Sequence, residues 1–234
     1  MIIIRDDLEE IERLKTNLAS EFEMMNLGYL KYFLGIEVKR SSQGIFINPK
    51  KYILDLLAET RLMDCKRADT PIAVNHGLQI IKGTSLADRG KYQCLVGKLI
   101  YLSYTRPDIA YAVSVVSQFM HHPQNDHVEA ALRIVKYLKG TFDHGVMFKR
   151  NNHLEIHGYT DADWAGNPAD RRSTVGYLTF IGGNLVSWKS KKQKVVALSS
   201  AEAEFKGIRS GLTERSTDRY FNQGCGHKEF PRSP

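Results

Sequence analysis

One change of rhythm governs what this chain can fold into. Up to Gly140 most apolar residues recur at helical spacing, and from Gly145 onward they alternate with apolar residues on one face and polar ones on the other. A helical half followed by a strand-rich half that ends in a helix points to a mixed class, α+β or α/β.

The helical half begins with Asp7 to Phe22. Leu8, Ile11, Leu14, Leu18 and Phe22 form one stripe, and Asp7 with Glu10 has the spacing of a capping box. Leu30–Val38 and Ile45–Ile47 read as a hairpin turning at Ser41-Ser42-Gln43-Gly44. Asn48-Pro49 then supplies a cap and a first-turn proline for a helix running to about Glu59. Residues 64–90 have no period and contain Pro71, Gly77, Gly83 and Gly90, so they read as a linker. Three helices follow. The first carries Tyr92, Leu95, Val96, Leu99 and Leu102. The second starts near Pro107 and carries Ile109, Ala112, Val113, Val116 and Phe119. The third carries Val128, Ala131, Leu132, Val135 and Leu138 and stops at Gly140. Stripes of this kind are core faces rather than cofactor boxes.

In the alternating half, Val146–Lys149 is a short strand and Asn151-Asn152 a turn. Leu154–Asp163 places Leu154, Ile156 and Gly158 on one face and Tyr159, Asp161 and Asp163 on the other. Val175–Ile181 and Leu185–Trp188 read as strands joined by Gly182-Gly183-Asn184, and Val195–Leu198 as a fourth. Ser199 opens a helix to about Leu212. From Thr213 to Pro234 the period is lost and aliphatic residues are few, the pattern of a disordered tail.

With 234 residues the chain is long enough for one large or two small domains, each able to bury a core. Its three cysteines, Cys65, Cys94 and Cys225, are odd in number and far apart, which argues against a disulfide scaffold and suits a reducing compartment. Met1-Ile2-Ile3-Ile4 is too short for a signal peptide, and no apolar run approaches the roughly 20 residues of a membrane span. The formal charge of +7 favours polyanionic partners.

Two groups of residues could carry chemistry. Asp161 and Asp163 end an alternating strand beside the Gly166-Asn167-Pro168 turn, a position open to magnesium, although spacing alone favours a pair of solvated aspartates near a turn. In the last helix Glu202 is accounted for by a capping box with Ser199 and by Lys206 four residues on. Glu204 instead borders the stripe of Ala201, Phe205, Ile208 and Leu212. An acid turned toward a sheet needs a metal or a base such as Lys194, because an unpaired buried charge is costly. Lys189, Lys191, Lys192 and Lys194 follow Trp188, a pattern that suits a phosphate backbone and also an ordinary solvated loop. Arg171-Arg172 either touches phosphate or caps a turn. His121-His122 with His127, and Cys225-Gly226-His227, lack the further ligands a metal site requires.

Long motifs then narrow the choice. Tyr159–Gly166, Asp170–Thr174, Gly182–Gln193 and Leu198–Phe205 resemble, in order and spacing, the RNase H domain of copia-type LTR retrotransposon Pol polyproteins. Leu30–Val38, Leu95–Leu102 and Thr105–Val113 resemble the C-terminal part of that family's reverse transcriptase. The resemblance covers about residues 1–212. It implies the end of a reverse-transcriptase palm and thumb over 1–84 and a helical connection over 85–144. An RNase H-like mixed sheet with helix would occupy 145–212, incomplete, with a divergent tail over 213–234.

The family copies RNA into DNA and degrades the RNA strand of the hybrid, with two magnesium ions held by carboxylates. By resemblance Asp161 is the first nuclease acid and Glu204 the second, as catalytic and metal-binding residues, with Lys189, Lys191, Lys192 and Lys194 as nucleic-acid contacts. The polymerase's paired aspartates would fall before Met1, and Asp6-Asp7 at a helix cap is no substitute, so polymerase activity is not expected. The third and fourth nuclease acids would fall beyond Leu212, where Asp218 alone remains. The expected reading is therefore a retrotransposon fragment of intracellular location, with weak or partial Mg2+ binding and little or no cleavage. A non-catalytic nucleic-acid-binding remnant and a functionless relic stand as alternatives.

Overall fold

Gly44 marks the point from which the first sheet is built. Its φ of 143° lies in the region that favours glycine, and its Cα backs onto the Phe148 carbonyl where a Cβ would not fit. In the computed structural model, which describes residues 8–22, 28–81, 83–167 and 170–217, this close approach joins two distant segments. Leu30–Val38, expected as one strand, is broken by a turn at Leu34-Gly35, both at positive φ, so that β1 (Tyr32–Phe33) folds back antiparallel on β2 (Ile36–Ser41). Strands β2 and β3 (Gly44–Asn48) form the expected hairpin, and β4 (Val146–Lys149) adds to β3. The short strand at Val146–Lys149 thus forms, but pairs with Gly44–Ile47 rather than with the strands that follow it. Alternation reveals a strand's faces and says nothing about its partner.

Helices α2 (Lys50–Glu59), α3 (Arg89–Ser103), α4 (Ala110–Ser117) and α5 (Asn125–Gly140) share one core. Val96, Leu99, Leu102, Val116, Val135 and Leu138 are all buried, as the helical spacing required. Ile134 belongs to the core although the stripe read from sequence passes over it. Pro107 does not open α4 directly. It starts a 3-10 turn, Pro107–Ile109, from which α4 continues. Arg106, fully buried, fixes this entry: its guanidinium forks onto Asp108 at 2.9 and 2.6 Å and also donates to the Thr141 carbonyl at 2.8 Å. Tyr92 donates its hydroxyl to the Val116 carbonyl at 2.7 Å, and burial raises its phenol above the ordinary range.

The second sheet contains β5 (Ile156–Ala162), β6 (Thr174–Ile181) and β7 (Asn184–Lys192), antiparallel in that order. β7 runs to Lys192, beyond the expected end at Trp188, because β6 offers partners as far as Thr174 opposite Lys192. Beyond Thr174 one further backbone bond follows, from the Gln193 N–H to the Ser173 carbonyl at 2.8 Å, and Val195–Leu198, expected as a strand, is irregular. Helix α6 (Ser200–Thr217) begins where expected. Ser199 Oγ accepts the Glu202 N–H at 3.1 Å, the predicted cap, while the Glu202 carboxylate reaches one residue further than in a capping box and accepts the Leu198 N–H at 2.7 Å. Residues 213–217, expected to be irregular, continue the helix.

The face that α6 lays on the sheet is not the expected one. Phe205 is 77% exposed and Ile208 46%, while Ala203, Gly207 and Gly211 are buried. A Cβ on Gly207 would lie 2.8 Å from Val175 Cγ2, and one on Gly211 would lie 3.2 Å from Thr160 Cγ2. The helix backbone sits so close to β5 and β6 that small residues, not large ones, decide the seam.

Tyr32–Gly211 fold together, and the described residues on either side belong to a second unit that includes helix α1 (Leu8–Glu21). The amphipathic helix read at this end is thus observed; Asp6 and Asp7 lie outside the described residues. So do Asp218, Cys225 and His227. No described helix is long and apolar enough to cross a membrane.

Candidate functional site

Asp161 stands opposite Gly176 in the β5–β6 ladder and is exposed. Its neighbours Thr160 and Ala162 are the β5 residues that meet Gly211 and Gly207 of α6. Alternation therefore turns Asp161 to the other face of the sheet. Glu204 is partly buried, one position after Ala203 and three before Gly207, so it flanks the helix seam at the end where Gly207 rests on Ala162. The two acids thus belong to opposite faces of the sheet. Neither has an ion pair or side-chain hydrogen bond among the described residues, and Lys194, the base considered for Glu204, is exposed in the bend after β7.

The acids around them are engaged. Asp163 accepts the Thr174 N–H at 2.6 Å and closes the loop after β5. Burial, with the Asp163 charge beside it, raises the Tyr111 phenol of α4. Asp170 pairs with Lys192 at 2.9 Å and with Arg172 at 3.7 Å; burial works against ionisation, but the Lys192 bond and the other partners outweigh it and lower its carboxyl. Arg172 thus braces this turn through its backbone N–H and its side chain. Glu202 pairs with Lys206 at 2.7 Å, and that bond, followed by the Leu198 N–H, lowers its carboxyl. Among the described residues no three His, Cys, Asp or Glu side chains converge on a point that could hold a metal.

The four lysines do not form one patch. Lys189 and Lys191 are exposed and pair with Tyr177 and Val175, which puts them on the face that carries α6. Lys192 lies on the opposite face, held by Asp170 and by Gln118 Oε1 at 3.2 Å. Trp188 serves as a structural tie: its indole N–H donates to the Ser103 carbonyl at 2.7 Å. With Ser114–Ser190 at 3.2 Å, it ties β7 to the helices. His127 is also structural. It is buried, stacks on Phe119 with centroids 3.8 Å apart, and its Nδ1 accepts the Gln124 N–H at 3.0 Å.

The reverse transcriptase (RNA-dependent DNA polymerase) family matches residues 1–74. The retrovirus-related Pol polyprotein from transposon RE1 of Arabidopsis thaliana is 44% identical over 214 residues, covering 92% of this chain and 15% of that protein. The Pol polyprotein from transposon TNT 1-94 of Nicotiana tabacum is 38% identical over 88% of this chain and 16% of its own length. A shorter relative, the uncharacterized mitochondrial protein AtMg00810 of Arabidopsis thaliana, is 38% identical over 82% of this chain and 79% of its own length.

The chain belongs to the copia-type retrotransposon Pol family. This Pol segment spans about 15% of the length of the Pol polyproteins it matches. No solved structure matches it. The reverse transcriptase match ends at residue 74, before α3 begins. What sequence reading misses in this Pol segment is the Ala203, Gly207, Gly211 seam. The signal is present as small residues four apart, the spacing of one helix face.

Proposed function

We propose that this Pol segment binds nucleic acid, with RNA–DNA hybrid as the fitting form, and cleaves it little or not at all. In this reading α2–α5 with the first sheet descend from the thumb and connection of a reverse transcriptase. β5–β7 with α6 descend from an RNase H-like domain. The observation that carries it is an edge strand that presents exposed Lys189 and Lys191, on a sheet whose opposite faces carry two unengaged carboxylates, Asp161 and Glu204.

Two carboxylates are hard oxygen donors and suit magnesium, which is commonly held by one or two carboxylates together with substrate phosphates. Asp161 and Glu204 would hold it only weakly, since strand alternation and the α6 seam set them on opposite faces of the sheet. When bound, the ion would polarise a phosphoryl oxygen and lower the pKa of its water. A second ion at the separation of about 4 Å used by two-metal centres needs further negative charge nearby. Asp163, Asp170 and Glu202 are committed to hydrogen bonds and ion pairs elsewhere. The chemistry retained is thus binding rather than hydrolysis.

The test is a labelled RNA–DNA hybrid incubated with the full chain in magnesium and in manganese, with Asp161→Asn in parallel. Hybrid bound in a strongly salt-dependent manner and left intact is the expected result. Cleavage that disappears in Asp161→Asn would mean that the two acids suffice and that the chain is a nuclease. Absence of any binding would remove the proposal.

A further inference from the structure

Residues 64–81 take no part in the β5–α6 site, yet they are firmly placed. They run antiparallel to α5. At one end the Ala68 N–H donates to the Lys136 carbonyl at 3.2 Å, and Arg133 donates to the Thr70 carbonyl at 3.2 Å and hydroxyl at 2.8 Å. At the other end the Gln124 amide accepts the Ile81 N–H at 3.1 Å and donates to the Ile81 carbonyl at 2.6 Å. Between the two attachments lies an open cavity of about 1000 Å3, walled by this segment and by α5.

Its charge is divided. Lys66, Arg67, Arg133 and Lys136 line the end near the α5 C-terminus, with Asp69 among them; Asp126 and Glu129 line the other end. A helix C-terminus favours nearby cations, which accounts for Lys136. It does not account for Lys66 and Arg67, which come from the facing segment and are exposed. Lys66, Arg67 and Lys136 have no ion pair or side-chain hydrogen bond among the described residues. Arg133 is held in place by Thr70, so its planar fork is oriented in advance. Arg67 is steered too: its side chain runs past Gly140, where a Cβ would lie 3.3 Å from Arg67 Cδ. Four cations with so little local neutralisation make a site for an anion bearing several negative oxygens.

We infer, on the strength of the nucleic-acid reading above, that this basic end of the cavity takes phosphate groups of a nucleic-acid strand. It is a second contact, built by different elements from those that carry Lys189 and Lys191. Two separated contacts on one chain engage a single polyanion more tightly than either alone.

The experiment measures binding of a labelled RNA–DNA hybrid by fluorescence anisotropy across a salt series, using the full chain, K66E/K136E and K189E/K191E. K66E/K136E is expected to bind at least tenfold more weakly and to reduce the slope of log K against log salt by roughly 1.5, since each phosphate contact contributes about 0.7–0.9. K66R/K136R should restore both, and unchanged thermal melting should show that the variants fold. If K66E/K136E binds like the parent while K189E/K191E is impaired, the nucleic-acid reading survives and the cavity has no part in it. If the parent binds no hybrid, but tripolyphosphate raises its melting temperature and not that of K66E/K136E, the cavity takes phosphate from another source and the nucleic-acid assignment fails.

Discussion

Helices α2–α5 meet through large side chains, with Ile53, Val96, Leu99, Leu102, Ile134 and Leu138 removed from solvent. Helix α6 meets β5 and β6 through Ala203, Gly207 and Gly211 and leaves Phe205 and Ile208 outside. The first region is held by apolar area removed from water. The second buries few large residues, Val175 and Tyr177 among them, while Leu154, Ile156, Tyr159 and Leu198 stay exposed. Its sheet also leans on polar ties to its neighbours, above all Trp188 to Ser103. The comparison teaches that an apolar residue at helical spacing marks a core only where the partner surface leaves room for it.

The sharpest way to break this contrast is to truncate one apolar side chain in each region. Leu99→Ala should destabilise by about 2–5 kcal/mol, the cost of a cavity in a close-packed core. Phe205→Ala should stay within about 0.5 kcal/mol. Urea unfolding of both variants decides it, and equal losses would refute the distinction.

Arg106→Ala should cost about 3 kcal/mol, because it strands the Asp108 carboxylate and the Thr141 carbonyl. The pH dependence carries the same message. Burial pushes the Asp108 carboxyl up, but the bond and charge of Arg106 and the Tyr137 hydroxyl outweigh it, so its pKa lies below the ordinary aspartate value. A folded pKa below the unfolded one adds stability at neutral pH. That stability is lost as pH falls below about 4 toward the lower folded value. Melting temperatures from pH 7 to pH 2 should show this loss in the parent and a smaller one in Arg106→Ala.

Gly207→Ala addresses the second region. The new methyl would meet Val175 Cγ2 at 2.8 Å, so about 1–3 kcal/mol of destabilisation is expected. In Gly207→Ala/Val175→Ala the space reappears and much of the loss should return. Thermal melts of the single and double variants give the coupling.

The smallest effect belongs to the tie between the regions. Trp188→Phe keeps most of the ring and removes the indole N–H that reaches Ser103, a loss of about 1 kcal/mol. Hydrogen exchange should quicken at β6 and β7 amides more than in α5. Uniform quickening would mean that both regions open as one.

Much of this molecule is legible in its amino-acid order. The helical stripes of Tyr92–Leu102 and Ile109–Phe119 depend on local periodicity alone, and the Ser199–Glu202 cap on a hydrogen bond between near neighbours. Glu204 stands out in the sequence because it borders a sheet-facing stripe. It does border one, although the stripe is Ala203, Gly207 and Gly211 rather than Phe205 and Ile208. The Lys189–Lys194 run reads as one patch, but strand alternation divides it between two faces, a consequence of β7 extending to Lys192.

The helices, most strands, the Ser199 cap and the family are thus written in local spacing and extended motifs. Asn48, expected to cap α2, instead donates its amide to the Asp143 carbonyl at 2.9 Å, and Pro49 precedes the helix with no side-chain cap. Folding in three dimensions brings Val146–Lys149 into the first sheet, makes Trp188 a tie, and sets residues 64–81 against α5 as the wall of a basic cavity. Those outcomes depend on which distant surfaces come together. Local periodicity carries no information about a partner many residues away.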